Sequence, residues 1–68
     1  MREQMERLIR EMVDKGILFE DAVRAFEKGF MAEVLNRSDG SLTGAAKTLG
    51  IHRNTLSRKV VEYRLRRP

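Results

Sequence analysis

The chain contains no cysteine and no tryptophan, with a single histidine and a single proline. Without cysteine there are no disulfides and no thiolate metal site, and one histidine is too few for a zinc site. Aromatic residues make up 6% of the 68 positions. A chain this short buries only about 60% of the surface its unfolded form exposes, so its own core is thin. Oligomerisation is then the remaining common way to reinforce the scaffold. The length argues against an enzyme with a deep pocket. Apolar runs span only a few residues, which excludes a membrane span. Charge begins at Arg2 with no apolar stretch behind it, so no signal peptide is expected. These absences point to a cytoplasmic protein that is not an enzyme. No metal, cofactor or small-molecule ligand is expected.

What is present is charge, and it is unevenly placed. The net charge is +4. Positions 1–40 hold 7 Lys and Arg against 9 Asp and Glu, a net of −2. Positions 41–68 hold 7 Lys and Arg against 1 acid, a net of +6. An acidic-leaning half joined to a basic half suggests an assembly module followed by a polyanion-binding module. The alternative is a cluster of solvated cations near one terminus.

Hydrophobic periodicity divides the chain into four helices. Met5, Leu8, Ile9, Met12 and Val13 recur at helical spacing and line one face of a segment from Arg2 to Lys15. Glu3–Arg7 and Glu6–Arg10 have the favourable i, i+4 order. Gly16 suits the stop, and the short connection predicts that the first two helices pack together. The second segment runs from Phe19 to Arg37, with Glu20 and Asp21 in its first turn. One apolar stripe holds residues 19, 22, 23, 26, 30 and 34; a second holds 25, 32 and 35, with Met31 beside it. So wide an apolar surface is covered from two sides, the second side belonging to another subunit. Gly29 reads either as a close helix approach or as a tolerated exposed glycine. Asn36 to Ser41 is a turn, with Ser41 as N-cap of a short helix from Leu42 to Leu49. The fourth segment, Arg53 to Arg64, has Leu56, Val60 and Tyr63 on a single core face.

Ala46, Gly50 and Leu56 have the spacing of a helix-turn-helix. A small residue allows the second helix to cross closely, glycine makes the turn, and leucine fills the angle between the helices. A recognition helix also needs a cationic face for the major groove, and the fourth segment carries one.

The stretch GSLTGAAKTLGIHRNTLSRKVVEY, residues 40–63, resembles the DNA-binding end of the Fis family. That family comprises the factor for inversion stimulation and the C-terminal domains of NtrC-type bacterial activators. The resemblance rests on Thr43, Ala45-Ala46, Leu49-Gly50-Ile51, Arg53, Thr55-Leu56, Arg58-Lys59 and Tyr63. It implies an all-α homodimer bound to double-stranded DNA in the bacterial nucleoid. Residues 1–40 would be the dimerisation hairpin, intertwined with a second copy as a four-helix core. Residues 41–68 would be the helix-turn-helix. The expected dimer core is Leu8, Ile9, Met12, Val23, Phe26, Phe30 and Val34. Arg53 matches the base-reading arginine, and an arginine can pair bidentately with guanine. His52 matches a family position, occupied there by Asn, that lies near base edges. Thr43, Thr55, Arg58 and Lys59 match positions that meet phosphates or groove edges, and Asn54 and Ser57 lie near the same surface.

Three positions depart from the family pattern. Gly44 removes one phosphate contact, Ser57 is short, and Val61 is apolar where lysine is frequent. Arg64, Arg66 and Arg67 are candidates to restore backbone charge. His52 reads equally as a helix cap, and Tyr63 as core packing. Two other functions stay open: the C-terminal domain of a larger activator, and a helical interaction module whose basic face meets an acidic partner. The initial Met1 and the full hairpin favour a complete small protein over an excised domain.

Overall fold

A computed structural model of the chain describes residues 1–65. It contains four helices, α1 (Arg2–Asp14), α2 (Phe19–Arg37), α3 (Leu42–Leu49) and α4 (Arg53–Tyr63). The fold is all-α, with no strand among the described residues. Helix α2 ends at Arg37, and Ser38 caps it. Asp39 (φ +52°) and Gly40 (φ +78°) then turn the chain in the left-handed region. The Ser41 hydroxyl accepts a 3.1 Å hydrogen bond from the Gly44 amide and starts α3 as its N-cap.

The core lies where three helix ends meet. Leu35 of α2, Ala45 and Ala46 of α3, and Leu56 of α4 are buried, with Met31 and Tyr63 at the margin. Val34, Leu42, Leu49, Ile51, Val60 and Leu65 pack around them. The alanines matter by being small: both are all but inaccessible, so α3 lies close against its neighbours.

Helix α1 is different. It buries none of its residues, and the helix pairs in substantial contact are α2 with α3 and α3 with α4. Within one chain, the first two helices therefore do not pack together as their short connection predicts. In α1 the ion pair that forms is Arg2–Glu6, at 3.2 Å, and not Glu3–Arg7 or Glu6–Arg10.

Helix α2 uses its circumference unevenly. The inward stripe is Glu27, Met31 and Leu35, at i, i+4 and i+8, whereas Ala25 and Ala32 face solvent. The second stripe is thus displaced from the one that apolarity marks, because a half-buried glutamate takes a place in it. On another flank Phe19, Val23, Phe26 and Phe30 stay exposed, the last two at 57% and 52%. The Phe26 and Phe30 rings touch at 5.4 Å between centroids. Among the described residues, no atom beyond the local helix lies within 4 Å of where a Cβ at Gly29 would stand. The radius of gyration is 13.5 Å, against about 11 Å for a compact chain of this length. The chain exposes 5811 Å², where a compact monomer of its mass exposes about 4,400 Å².

Candidate nucleic-acid interface

The turn between α3 and α4 fixes how α4 is presented. Gly50 (φ +73°) ends α3 in the left-handed conformation, which glycine enters without steric penalty. The Ile51 amide reaches back to the Ala46 carbonyl at 3.1 Å, and the Gly50 amide to Lys47 at 3.2 Å. Ile51 is thereby drawn against the core, while His52 leaves it and becomes the N-cap of α4. The His52 ring accepts the Asn54 amide at Nδ1, at 3.0 Å. With Nδ1 so occupied, Nε2 is the ring nitrogen left for another partner. The capping role anticipated for His52 is met, and it is compatible with a contact from Nε2.

From this start, the helical repeat sorts the residues of α4 into three directions. Leu56, Val60 and Tyr63 face the core. Arg53, Asn54 and Arg58 are exposed, with Thr55 and Ser57 half-buried beside them. Thr43 is exposed in the first turn of α3. Of the eight residues predicted for the interface, Thr43, His52, Arg53, Asn54 and Arg58 are thus exposed, and Thr55, Ser57 and Lys59 are half-buried. Among the described residues, neither Arg53 nor Arg58 has a hydrogen-bond or ion-pair partner. Their charge is uncompensated. Arg66 and Arg67 lie outside the described residues.

Lys59 takes the third direction. Its side chain is only 30% exposed, and its Nζ lies 3.1 Å from Glu27 Oε1 on α2. Glu62 Oε2 is a more distant neighbour, at 3.9 Å. The same Nζ sits 5.2 Å from the centroid of the Tyr63 ring. The Tyr63 hydroxyl donates to Glu27 Oε1 at 2.8 Å. The hydrogen bonds from Tyr63 and from Lys59 hold the Glu27 carboxyl below its ordinary 4.5. Its bond to Glu27 raises the Lys59 ammonium, and the separate bond from the Tyr63 hydroxyl to Glu27, aided by burial, raises the Tyr63 phenol. Glu27 is not among the residues that motif or family spacing marks. Its signal is the stripe at 27, 31 and 35, which puts one acid in line with two core residues.

Val61 is 78% exposed. One turn beyond Ser57, it continues the outer stripe of α4 as an apolar end.

These features fall inside one recognisable unit. The family model described as "Bacterial regulatory protein, Fis family" matches residues 22–63, from the first turns of α2 to the end of α4. A Fis-like DNA-binding protein of Xylella fastidiosa (strain Temecula1) is 35% identical over 96% of this chain and 79% of its own length. A protein of the same description from strain 9a5c is 34% identical over the same shares. No solved structure gives a significant match. With α2, the glycine turn and α4 all inside the matched segment, and relatives spanning nearly every residue, the chain belongs to the Fis family of bacterial regulatory proteins.

Proposed function

We propose that the protein is a homodimeric binder of double-stranded DNA, acting in the bacterial cytoplasm as a transcriptional regulator or DNA-bending nucleoid factor. The observation that carries this reading is the outer side of α4, where Arg53 and Arg58 stand exposed and, among the described residues, without a partner. A phosphate backbone is the polyanion that such a helix face fits, and binding is driven by counterion release. Thr43, Thr55 and Arg58 are the phosphate contacts in this reading. Arg53, with His52, Asn54 and Ser57, reads base edges in the major groove. The Xylella relatives bear the description Fis-like DNA-binding protein, in agreement with it.

Dimerisation is supported by surface. The chain exposes 5811 Å², roughly 1,400 Å² more than a compact monomer of its mass. Obligate dimers bury about 1,000–2,500 Å² per partner, so the excess is of the size such an interface removes. The apolar side chains left exposed on α1, α2 and their connection include Val13, Leu18 and Phe19, and with them Leu8, Ile9, Val23, Phe26 and Phe30. The last five, with half-buried Met12 and Val34, are the residues assigned to the dimer core. Pairing sets two copies of α4 on one duplex, and DNA bends where their separation differs from one helical repeat.

A gel shift on duplex DNA across a salt series tests the reading, with Arg53→Ala and the pair Arg53→Ala/Arg58→Ala alongside. We expect affinity to fall steeply with salt and Arg53→Ala to weaken binding by about ten- to a hundredfold. Affinity that ignores salt, or survives loss of both arginines, overturns it.

A further inference from the structure

We propose that Glu27, Lys59 and Tyr63 form a clamp that sets the angle of α4 against α2, which makes Lys59 a positioning residue and not a phosphate contact. The proposal rests on the DNA-binding reading above and assigns Lys59 a different role within it.

Four observations converge on one oxygen atom and its neighbours. Glu27 Oε1 receives both the Tyr63 hydroxyl at 2.8 Å and the Lys59 ammonium at 3.1 Å. The ammonium also sits 5.2 Å from the Tyr63 ring centroid, within reach of its π face. The Lys59 side chain is 30% exposed and that of Glu27 31%, so the pair is partly withdrawn from water. Among the described residues, no other side-chain hydrogen bond or ion pair joins two helices.

The placement gives the clamp leverage. Helix α3 is the element that packs on both α2 and α4, so α4 is held to α2 largely through an intermediary. Leu56 anchors its first turn in the shared core. Lys59 and Tyr63 hold its second half directly to α2. Val60 and the Tyr63 ring also pack on the core along that half, but apolar contacts are not directional, and the bonds to Glu27 are what fix the pitch. Helix α2 also carries the apolar flank assigned to the dimer, so the clamp links the pairing surface to the helix that reads DNA. Two copies of α4 held at a fixed pitch accept one separation of half-sites and reject others. Lys59 contributes to that geometry from a charge already neutralised by Glu27.

Two measurements on the full chain test this. The first is the salt dependence of binding to one duplex. Each phosphate neutralised contributes about 0.9 to the slope of log affinity against log salt, so removing one phosphate-binding cation from both protomers lowers it by about 1.8. We expect Arg58→Gln to show that decrease and Lys59→Gln to leave the slope at its wild-type value. The second is a panel of duplexes with half-site separation varied in single base pairs. The double variant Glu27→Gln/Lys59→Gln keeps the net charge and a partner for the Tyr63 hydroxyl, yet breaks the ion pair. We expect its preference for one separation to flatten severalfold while its slope stays unchanged. Tyr63→Phe, which removes a single oxygen, carries the same spacing test should the double variant melt below assay temperature.

A Lys59→Gln slope that falls as far as that of Arg58→Gln overturns the proposal. So does a spacing preference unaltered in both clamp variants. Either result leaves the DNA-binding reading intact, whereas failure of the wild-type protein to bind any duplex at low salt overturns that reading and the clamp with it.

Discussion

The Tyr63 hydroxyl and the Glu27 carboxylate meet at 2.8 Å across 36 positions of sequence. The bond favours ionised Glu27 and neutral Tyr63, and its effect on stability follows from that. Glu27 is held below 4.5, so its contribution is complete above that pH and vanishes as the pH falls through the lower folded value. Tyr63 is held above 10.0 and Lys59 above 10.5. Their contributions are complete below those values and vanish as the pH rises through the raised ones. The melting-temperature difference between wild type and Glu27→Gln is therefore expected to be flat from about pH 5 to about pH 9 and to shrink on both sides. A constant difference from pH 3 to 11, read by circular dichroism at fixed protein concentration, contradicts this.

Arg64 ends α4 in the left-handed conformation, at φ +53°. A side chain there costs about 1 kcal/mol that glycine avoids. Arg64→Gly is expected to raise the melting temperature by about 4–8 °C. Gly50→Ala works in the opposite sense: the site has open space around it, but its φ is +73°. It is expected to destabilise by about 1 kcal/mol from backbone strain alone. Thermal denaturation of the two variants checks both signs.

The Ser41 hydroxyl satisfies the Gly44 amide at 3.1 Å. Ser41→Ala removes the cap of an eight-residue helix and is expected to cost about 1 kcal/mol. Urea denaturation measures the loss, which Ser41→Asp should largely restore.

Phe30 stands 52% exposed beside Phe26. If this flank is the dimer core, Phe30→Ala removes one buried ring per protomer, each worth about 3–5 kcal/mol. The dimer dissociation constant is expected to rise by at least a hundredfold. Sedimentation equilibrium over a dilution series reads it, and an unchanged constant removes Phe30 from the interface.

Val61, 78% exposed on the outer side of α4, offers a gain of charge. Val61→Lys is expected to steepen the salt dependence by up to about 1.8 per dimer and to tighten binding on all sequences alike. A slope equal to wild type places residue 61 outside the reach of phosphate.

The bounds of α2 and α3 were legible because local signals agreed there. Ser41 is an N-cap by side-chain chemistry, Gly50 a terminator by backbone freedom, and Leu56 lies in phase with Val60 and Tyr63. All of these act within a few residues. The packing of α1 was not legible, since the apolar stripe of Met5, Leu8 and Ile9 states that something covers it but not which chain supplies the cover. The side of Lys59 was not legible either. Family spacing placed it beside Arg58, yet one residue is 100° of helix rotation, enough to carry the ammonium from the outer face to a carboxylate on α2. Glu27 carries no motif signal, and only its register with Met31 and Leu35 points inward.

Helix α2 keeps its two neighbourhoods on separate flanks, Met31 and Leu35 toward α3 and α4, Phe26 and Phe30 toward the outside. Yet Val34, one turn from Phe30, packs on that core, and Phe26, Phe30 and Met31 line one groove with Leu49. The flanks therefore meet along a seam, where substitutions are expected to couple and not to add. If a second copy covers the phenylalanine flank, a change there reaches the helix-turn-helix through Val34 and Met31.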